Sequence, residues 1–180
     1  NKEHRLPEDY VPSDLTEPDV SFQQSDPERR QLRREAASAL EQMFAGAKAD
    51  GHKLIAVSGY RSYASQKALY KRRRDQTSAA YVEVYIARPG ASEHQTGLAM
   101  DLGCPGHCDL EEDFAQTDEG HWIALHAHEY GFVIRYPQDK TEVTGYAWEP
   151  WHVRYVGKAA ARTIYENGWA LEEYLQSSAA

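Results

Sequence analysis

Apolar residues recur every three or four positions through Leu32, Ala36, Leu40, Met43, Phe44 and Ala47, a spacing that predicts an amphipathic helix. Asp26 as its cap, Pro27 at the first helical position and Glu28 near the positive end of the dipole place its start, and Gly51 ends it. The pattern then changes. Residues 53–58 form a short apolar run rich in β-branched residues, as expected of a buried strand. Helices are expected over 64–75 and, more weakly, 78–86, before Pro89 and Gly90 break the pattern. Further on, strands are expected at 98–102, 132–136 and 151–156, with a helix over 119–130 closed by Gly131. Residues 158–167 read as a helix stopped by Gly168, and 170–176 as one or two further turns.

Helices and strands mix without a regular alternation. That predicts an α+β fold with a small antiparallel or mixed sheet flanked by helices. Residues 1–25 carry Pro7, Pro12 and Pro18 among charged residues and lack periodicity. They read as an extended N-terminal arm that wraps the body or moves freely, leaving 26–180 as one domain. The chain opens on Asn1, which suggests a processed or truncated product.

Composition narrows the function. With 20 Lys and Arg against 28 Asp and Glu, the formal charge is −8, which argues against a nucleic-acid partner. Two cysteines are too few for a disulfide scaffold or a four-thiolate metal site. There is no Gly-rich phosphate loop, no Gly-x-Ser-x-Gly elbow and no His-Glu-x-x-His helix. Eight histidines among so many carboxylates raise the question of a metal site.

Three clusters bear on that question. Ser58-Gly59-Tyr60-Arg61-Ser62 runs from a strand into a turn that presents a guanidinium, a planar fork suited to a carboxylate or a developing oxyanion. By itself this is more often a surface ion pair. Ser92-Glu93-His94 to Asp101 places two zinc-type ligands seven residues apart, with Gly97 between them to let the chain turn. Without a third ligand the bland reading, a solvated His on a capped loop, prevails. Trp148-Glu149-Pro150-Trp151-His152 supplies that ligand. Residues at i and i+3 of a regular strand face opposite sides, but Pro150 interrupts the ladder and lets the chain bend Glu149 towards the site. Together, His94, Asp101 and His152 leave a fourth coordination position for water, the pattern of a catalytic zinc site. Glu149 against aromatic walls is then the candidate general base, and Arg61 the candidate substrate or oxyanion contact.

Ser58–Ser62, Ser-x-His-x-x-Gly-x-x-x-Asp at 92–101 and Glu-x-Trp-His at 149–152, in this order and with these gaps, resemble the VanY-type D-alanyl-D-alanine carboxypeptidases of the M15 or LAS zinc peptidases. The segment Tyr130–Pro137 also resembles this family, and the likeness covers about 27–175. The resemblance implies a central antiparallel sheet shared with the Hedgehog signalling domain. It implies one zinc ion on His94, Asp101 and His152, Glu149 as base, and Arg61 as substrate and transition-state contact. Gln66, Ser92, Tyr136 and Trp151 match positions that line the substrate pocket. The implied substrate is a peptidoglycan stem peptide ending in D-Ala, and the implied place is the cell wall or the outer face of a bacterial membrane. A monomer without a stable protein partner is expected.

The motifs do not separate D,D-carboxypeptidases from L,D-carboxypeptidases that act on tetrapeptide stems. A non-catalytic zinc module is the third alternative, disfavoured because Glu149 and Arg61 are both present. The segment Cys104-Pro105-Gly106-His107-Cys108 lies outside the family pattern. In an oxidising setting a small disulfide is expected there, in preference to a second metal on the two cysteines and His107. His121, His126 and His128 share one expected helix, but His121 and His128 lie two turns apart on one face and His126 faces another way, so no common site is expected of them.

Overall fold

The computed structural model describes residues 1–178. Four strands, β3 (Ile55–Ser58), β4 (Ala99–Gly103), β5 (Phe132–Tyr136) and β6 (Glu149–Tyr155), form one antiparallel sheet in the order β3-β4-β6-β5. A two-stranded ribbon of β1 (Leu15–Thr16) and β2 (Leu32–Arg33) precedes it. The helices are α1 (Arg34–Ala49), α2 (Tyr63–Gln76), α3 (Ala79–Tyr85), α4 (Asp118–His126), α5 (Thr141–Thr144), α6 (Lys158–Asn167) and α7 (Leu171–Ser178).

Period-two alternation divides the sheet into an apolar and a polar face. Met100, Leu102, Phe132 and Val153 point to one side, where Ala36, Leu40, Met43 and Ala47 of α1 and Trp122 and Ile123 of α4 close over them. Full burial of side chains such as Leu40, Met43 and Phe132 contributes about 1.5–3 kcal/mol each. Asp101, Arg135, His152 and Arg154 occupy the intervening positions, and Asp101 pairs directly with His152 across β4 and β6. The hydrophobic core thus holds a rigid plate whose other surface carries the chemistry.

The first helix starts at Arg34, not after Asp26 and Pro27 as the local signals predict. Asp26 does cap a turn, accepting from the Glu28 N–H at 3.0 Å. The following backbone is used sideways instead. Carbonyls of Arg29 and Gln31 accept from Gly59 and Tyr60, and the Arg33 N–H donates to the Gly97 carbonyl. These bonds to distant segments compete with a helical ladder and win. The expected helix over 119–130 divides into α4 and a 3-10 turn, Ala127–Tyr130, closed by Gly131.

Residues of the N-terminal arm lie against the body. The Leu6 N–H donates to the Gly90 carbonyl, Ser21 and Gln23 bond the backbone of Ala56, and Gln95 donates to the carbonyls of Pro7 and Tyr10. The expected disulfide is absent: Cys104 and Cys108 are free thiols. The Cys104 side chain is buried in a cluster with Phe114 and Trp151, whereas the Cys108 thiol donates to the Cys104 carbonyl at 3.2 Å. Burial pushes both thiol pKa values up, which favours the protonated forms.

Candidate metal centre and substrate cleft

Each of the three sequence clusters reaches the same cleft by a different local device. β3 ends at Ser58, and the chain turns through Gly59 and Tyr60, which are pinned by the Arg29 and Gln31 carbonyls. Arg61 follows, just before α2, whose N-terminus is capped by the Ser62 hydroxyl accepting from Ser65. His94 lies in the 3-10 turn Glu93–Thr96, which Gly97 closes at φ 68°. The positive φ calls for glycine there, and a Cβ would also crowd Leu15 Cδ2 at 2.9 Å and Arg33 Cγ at 3.0 Å. The reversal delivers β4 and Asp101 beneath His94.

Glu149 and His152 are brought together by an irregularity opposite Pro150. Ile134 pairs with Val153, but Tyr136 pairs with Glu149, so two steps on β5 span four on β6. The extra length lets Glu149 Oε2 approach His152 Nδ1 to 3.6 Å, as the proline in the motif leads one to expect. All nine residues singled out from the sequence, Arg61, Gln66, Ser92, His94, Asp101, Tyr136, Glu149, Trp151 and His152, line one cleft of about 610 Å3. That size suits a small-molecule or short-peptide ligand.

Ligand atoms of His94, Asp101 and His152 lie within 4.8 Å of one another, and all three residues are buried. His94 Nδ1 is 2.7 Å from the Gly59 carbonyl, which only accepts, so that nitrogen carries the proton. Its other nitrogen, Nε2, therefore faces Asp101 Oδ2 at 3.2 Å with a lone pair. Two acceptors at that distance require a proton or a cation between them. Burial lowers the His94 pKa, which disfavours the proton. On the other side, His152 Nδ1 lies 3.0 Å from Asp101 Oδ1, a buried oxygen with no hydrogen bond among the described residues. Burial alone would raise the Asp101 carboxyl, but the two imidazoles hold it well below the usual carboxylate range. This donor set fits a divalent cation such as zinc.

The surrounding groups are polarised. Burial pushes the Glu149 carboxyl up to about 8, against the opposing pull of His152 and Arg61. Burial lowers His152, yet the adjacent Asp101 and Glu93 carboxylates outweigh it and lift the ring to about 9. Arg61 donates from Nη1 to Gln66 Oε1 at 2.8 Å and from Nη2 to Ser58 Oγ at 3.1 Å, and Nη2 is 3.9 Å from Asp101 Oδ2. Gln66 in turn donates to the Ala87 carbonyl at 2.6 Å. Its amide is thus engaged on both sides in holding Arg61. The Ser92 hydroxyl makes no hydrogen bond to the described residues. Tyr136 sits between His152 and Tyr146 in tilted contacts, with ring centroids 5.0 Å away on each side.

Several cleft residues had no sequence signal. Tyr81 and Tyr85 of α3 stack at 4.6 Å and form a wall, and Tyr146 closes the space behind Tyr136. Glu93 stands inside a quoted motif without an assigned part. The remaining histidines are apart from the cleft: His126 meets Glu129 at 3.0 Å, His128 stacks on Tyr165 at 3.8 Å, and His107 faces Asp113 at 3.4 Å.

An antiparallel sheet with a two-His, one-carboxylate centre, a buried carboxylate and an adjacent guanidinium defines a metallohydrolase type of site. The chain belongs to the VanY D-alanyl-D-alanine carboxypeptidase family, whose sequence profile matches residues 29–158. It is 47% identical over 178 residues to the putative carboxypeptidase YodJ of Bacillus subtilis, covering 98% of this chain and 65% of that protein. It is 38% identical to a D-alanyl-D-alanine carboxypeptidase of Enterococcus faecalis, covering 98% of this chain and 64% of that protein. The chain therefore spans just under two thirds of the length of these relatives. Among solved structures, the LdcB LD-carboxypeptidase superposes with a TM-score of 0.91 at 47% identity, covering 98% of this chain and 83% of that one. A Zn(II) complex of a VanY D,D-pentapeptidase mutant superposes with a TM-score of 0.78 at 34% identity, covering 97% and 96%.

Proposed function

We propose that this chain is a zinc-dependent carboxypeptidase that removes the C-terminal D-Ala from peptidoglycan stem peptides, acting in the cell wall or at the outer face of the cytoplasmic membrane. The observation that carries this reading is the convergence of His94, Asp101 and His152 within 4.8 Å, beside buried Glu149 and Arg61. It is supported by the VanY neighbours, one of them a Zn(II) complex and another, VanYB, a complex with D-alanine-D-alanine.

In this reading His94, Asp101 and His152 would hold the ion, with His94 Nε2 and His152 Nδ1 as the nitrogens facing Asp101. A zinc ion supplies Lewis-acid polarisation and makes water acidic enough to attack near neutral pH. The other groups do the rest. Glu149, kept basic by burial, takes the proton from the attacking water and returns it to the leaving amine of D-Ala. Arg61, preset by Gln66 and Ser58, binds the terminal carboxylate or the oxygen on which charge develops. Ser92 offers its hydroxyl to the peptide. Tyr136 and Trp151 exclude water from the scissile bond and strengthen these charged contacts. Gln66 acts through Arg61.

A second reading, an L,D-carboxypeptidase acting on tetrapeptide stems, is favoured by the likeness to LdcB. Incubating the zinc-loaded protein separately with pentapeptide and tetrapeptide stems, and weighing the products, separates the two. Loss of one D-Ala from the pentapeptide alone supports the D,D reading. Loss from the tetrapeptide alone supports the L,D reading. No cleavage of either refutes both.

A further inference from the structure

The residue before the first metal-ligand candidate, Glu93, is buried in the polar face of the sheet. Its Oε1 is fully used, accepting from Arg135 Nε at 2.7 Å and approaching Arg154 Nη1 at 2.9 Å. Arg135 in turn grips Glu172 of α7 through both terminal nitrogens. With two arginines and two glutamates, this set is already neutral. Oε2 of Glu93 stands apart from it. Among the described residues that buried oxygen has no hydrogen-bond partner, and neither has Nε2 of His152, which faces it at 3.9 Å. Two orphaned, complementary atoms thus face each other on the side of the imidazole away from Asp101.

A carboxylate whose only task was to balance Arg135 and Arg154 would turn both oxygens to them. We propose that Glu93 is a positioning residue for the metal centre: its Oε2 accepts from the Nε2–H of His152, and so directs the Nδ1 lone pair at the ion. Arg135 and Arg154 hold the glutamate in that orientation, and Glu172 fixes Arg135 from α7. This rests on the reading of His152 as a metal ligand through Nδ1. Partners in this position orient ligating histidines and raise their basicity, and losing them typically weakens metal binding by 10–100-fold.

The test compares wild type, Glu93→Gln and Glu172→Gln, each stripped with a chelator and titrated with zinc against a chromophoric competitor. Both substitutions remove one negative charge from the same arginine network, but only Glu93 reaches His152. Glu93→Gln is expected to weaken zinc binding by about 10–100-fold, and Glu172→Gln by less than about threefold. Equal weakening by the two would reduce Glu93 to a counter-ion and overturn the proposal. A second measurement does not depend on how the variants fold. In the zinc-loaded wild type labelled with 15N-histidine, the Nε2–H of His152 should give a downfield, slowly exchanging signal. A solvent-exchanging Nε2–H there overturns the proposal while leaving the zinc site intact. A wild type that takes up no zinc overturns the site reading beneath it, and this proposal with it.

Discussion

Arg61 Nη1 donates to Gln66 Oε1 at 2.8 Å, so a guanidinium facing the cleft is held by an amide that faces the same cleft. Both residues are buried, and Ser58 Oγ fixes a second corner of the guanidinium at 3.1 Å. A lysine ammonium carries all its donors on one nitrogen and lacks the planar fork whose separate nitrogens meet Gln66 and Ser58. Arg61→Lys should therefore lower kcat/KM by about 10²–10³-fold, the usual cost of losing one preorganised donor, with zinc content unchanged. Gln66→Ala should lower it by about tenfold and also lower Tm, because buried Arg61 Nη1 loses its partner, at about 1–3 kcal/mol, and the half-buried Ala87 carbonyl loses its donor. Kinetics on a stem peptide that place Arg61→Lys within twofold of wild type would remove Arg61 from substrate binding.

Glu149 and His152 share one strand yet differ in task, and substitution separates them. Glu149→Gln should retain one zinc per chain and lose activity by about 10²–10⁴-fold, the range expected for a missing proton carrier. His152→Ala should lose the metal itself, because a His and an Asp alone make a weak site. Metal analysis of the dialysed variants beside their turnover numbers checks both. An active Glu149→Gln protein would reject the base.

Removing the metal should also expose a pH dependence of folding. The Glu149 carboxyl is raised from an ordinary 4.5 to about 8. Between those values the native state holds a proton that the unfolded chain has released. His152 is raised from 6.5 to about 9 and adds the same sign over its own interval. More protons on the native state mean that stability falls as pH rises, by about 1.4 kcal/mol per pH unit for each group. Metal-free protein should thus be more stable at pH 6.5 than at pH 8, and Glu149→Gln should flatten that slope by about half. Denaturant midpoints at the two pH values decide it. A midpoint that rises with pH contradicts the assignment.

The parts readable in the sequence were those set by neighbours along the chain. Period-two and period-3.6 patterns marked β3, β4, β5 and most helices because the apolar face of each is local. The bend at Pro150 was readable because proline acts on its own ladder position, and it does bring Glu149 to His152. What escaped depends on remote partners. Asp26 and Pro27 carry a good helix-start signal, yet the backbone after them bonds to Gly59, Tyr60 and Gly97. Glu93 is silent in the sequence because Arg135, Arg154 and Glu172 come from strands and a helix far along the chain. The cysteine spacing suggested a disulfide, but the direction of each side chain is set by Phe114 and Trp151 on one and the Cys104 carbonyl on the other.

Gly59 links the backbone of the Arg61 turn to the metal centre. Its carbonyl accepts from His94 Nδ1 at 2.7 Å, and its N–H donates to the Arg29 carbonyl at 2.6 Å. A Cβ there would lie 2.5 Å from the Gln31 carbonyl oxygen and 3.0 Å from that of Arg29. Backbone cannot rotate away as a flexible side chain would, so Gly59→Ala must push the 29–31 strap off or shift the Gly59 carbonyl. Overpacking of this kind costs about 1–3 kcal/mol. In a chain of 180 residues each kcal/mol lowers Tm by about 2–4 °C. Because the same carbonyl sets the His94 tautomer, zinc affinity should fall with stability. Gly51→Ala is the control, since no atom lies within 4 Å of a Cβ there and its φ of 90° imposes backbone strain remote from the metal. It should lower Tm without changing zinc affinity. If Gly59→Ala also leaves zinc affinity unchanged while Tm drops, the carbonyl only braces the fold, and the tautomer of His94 is set by something else.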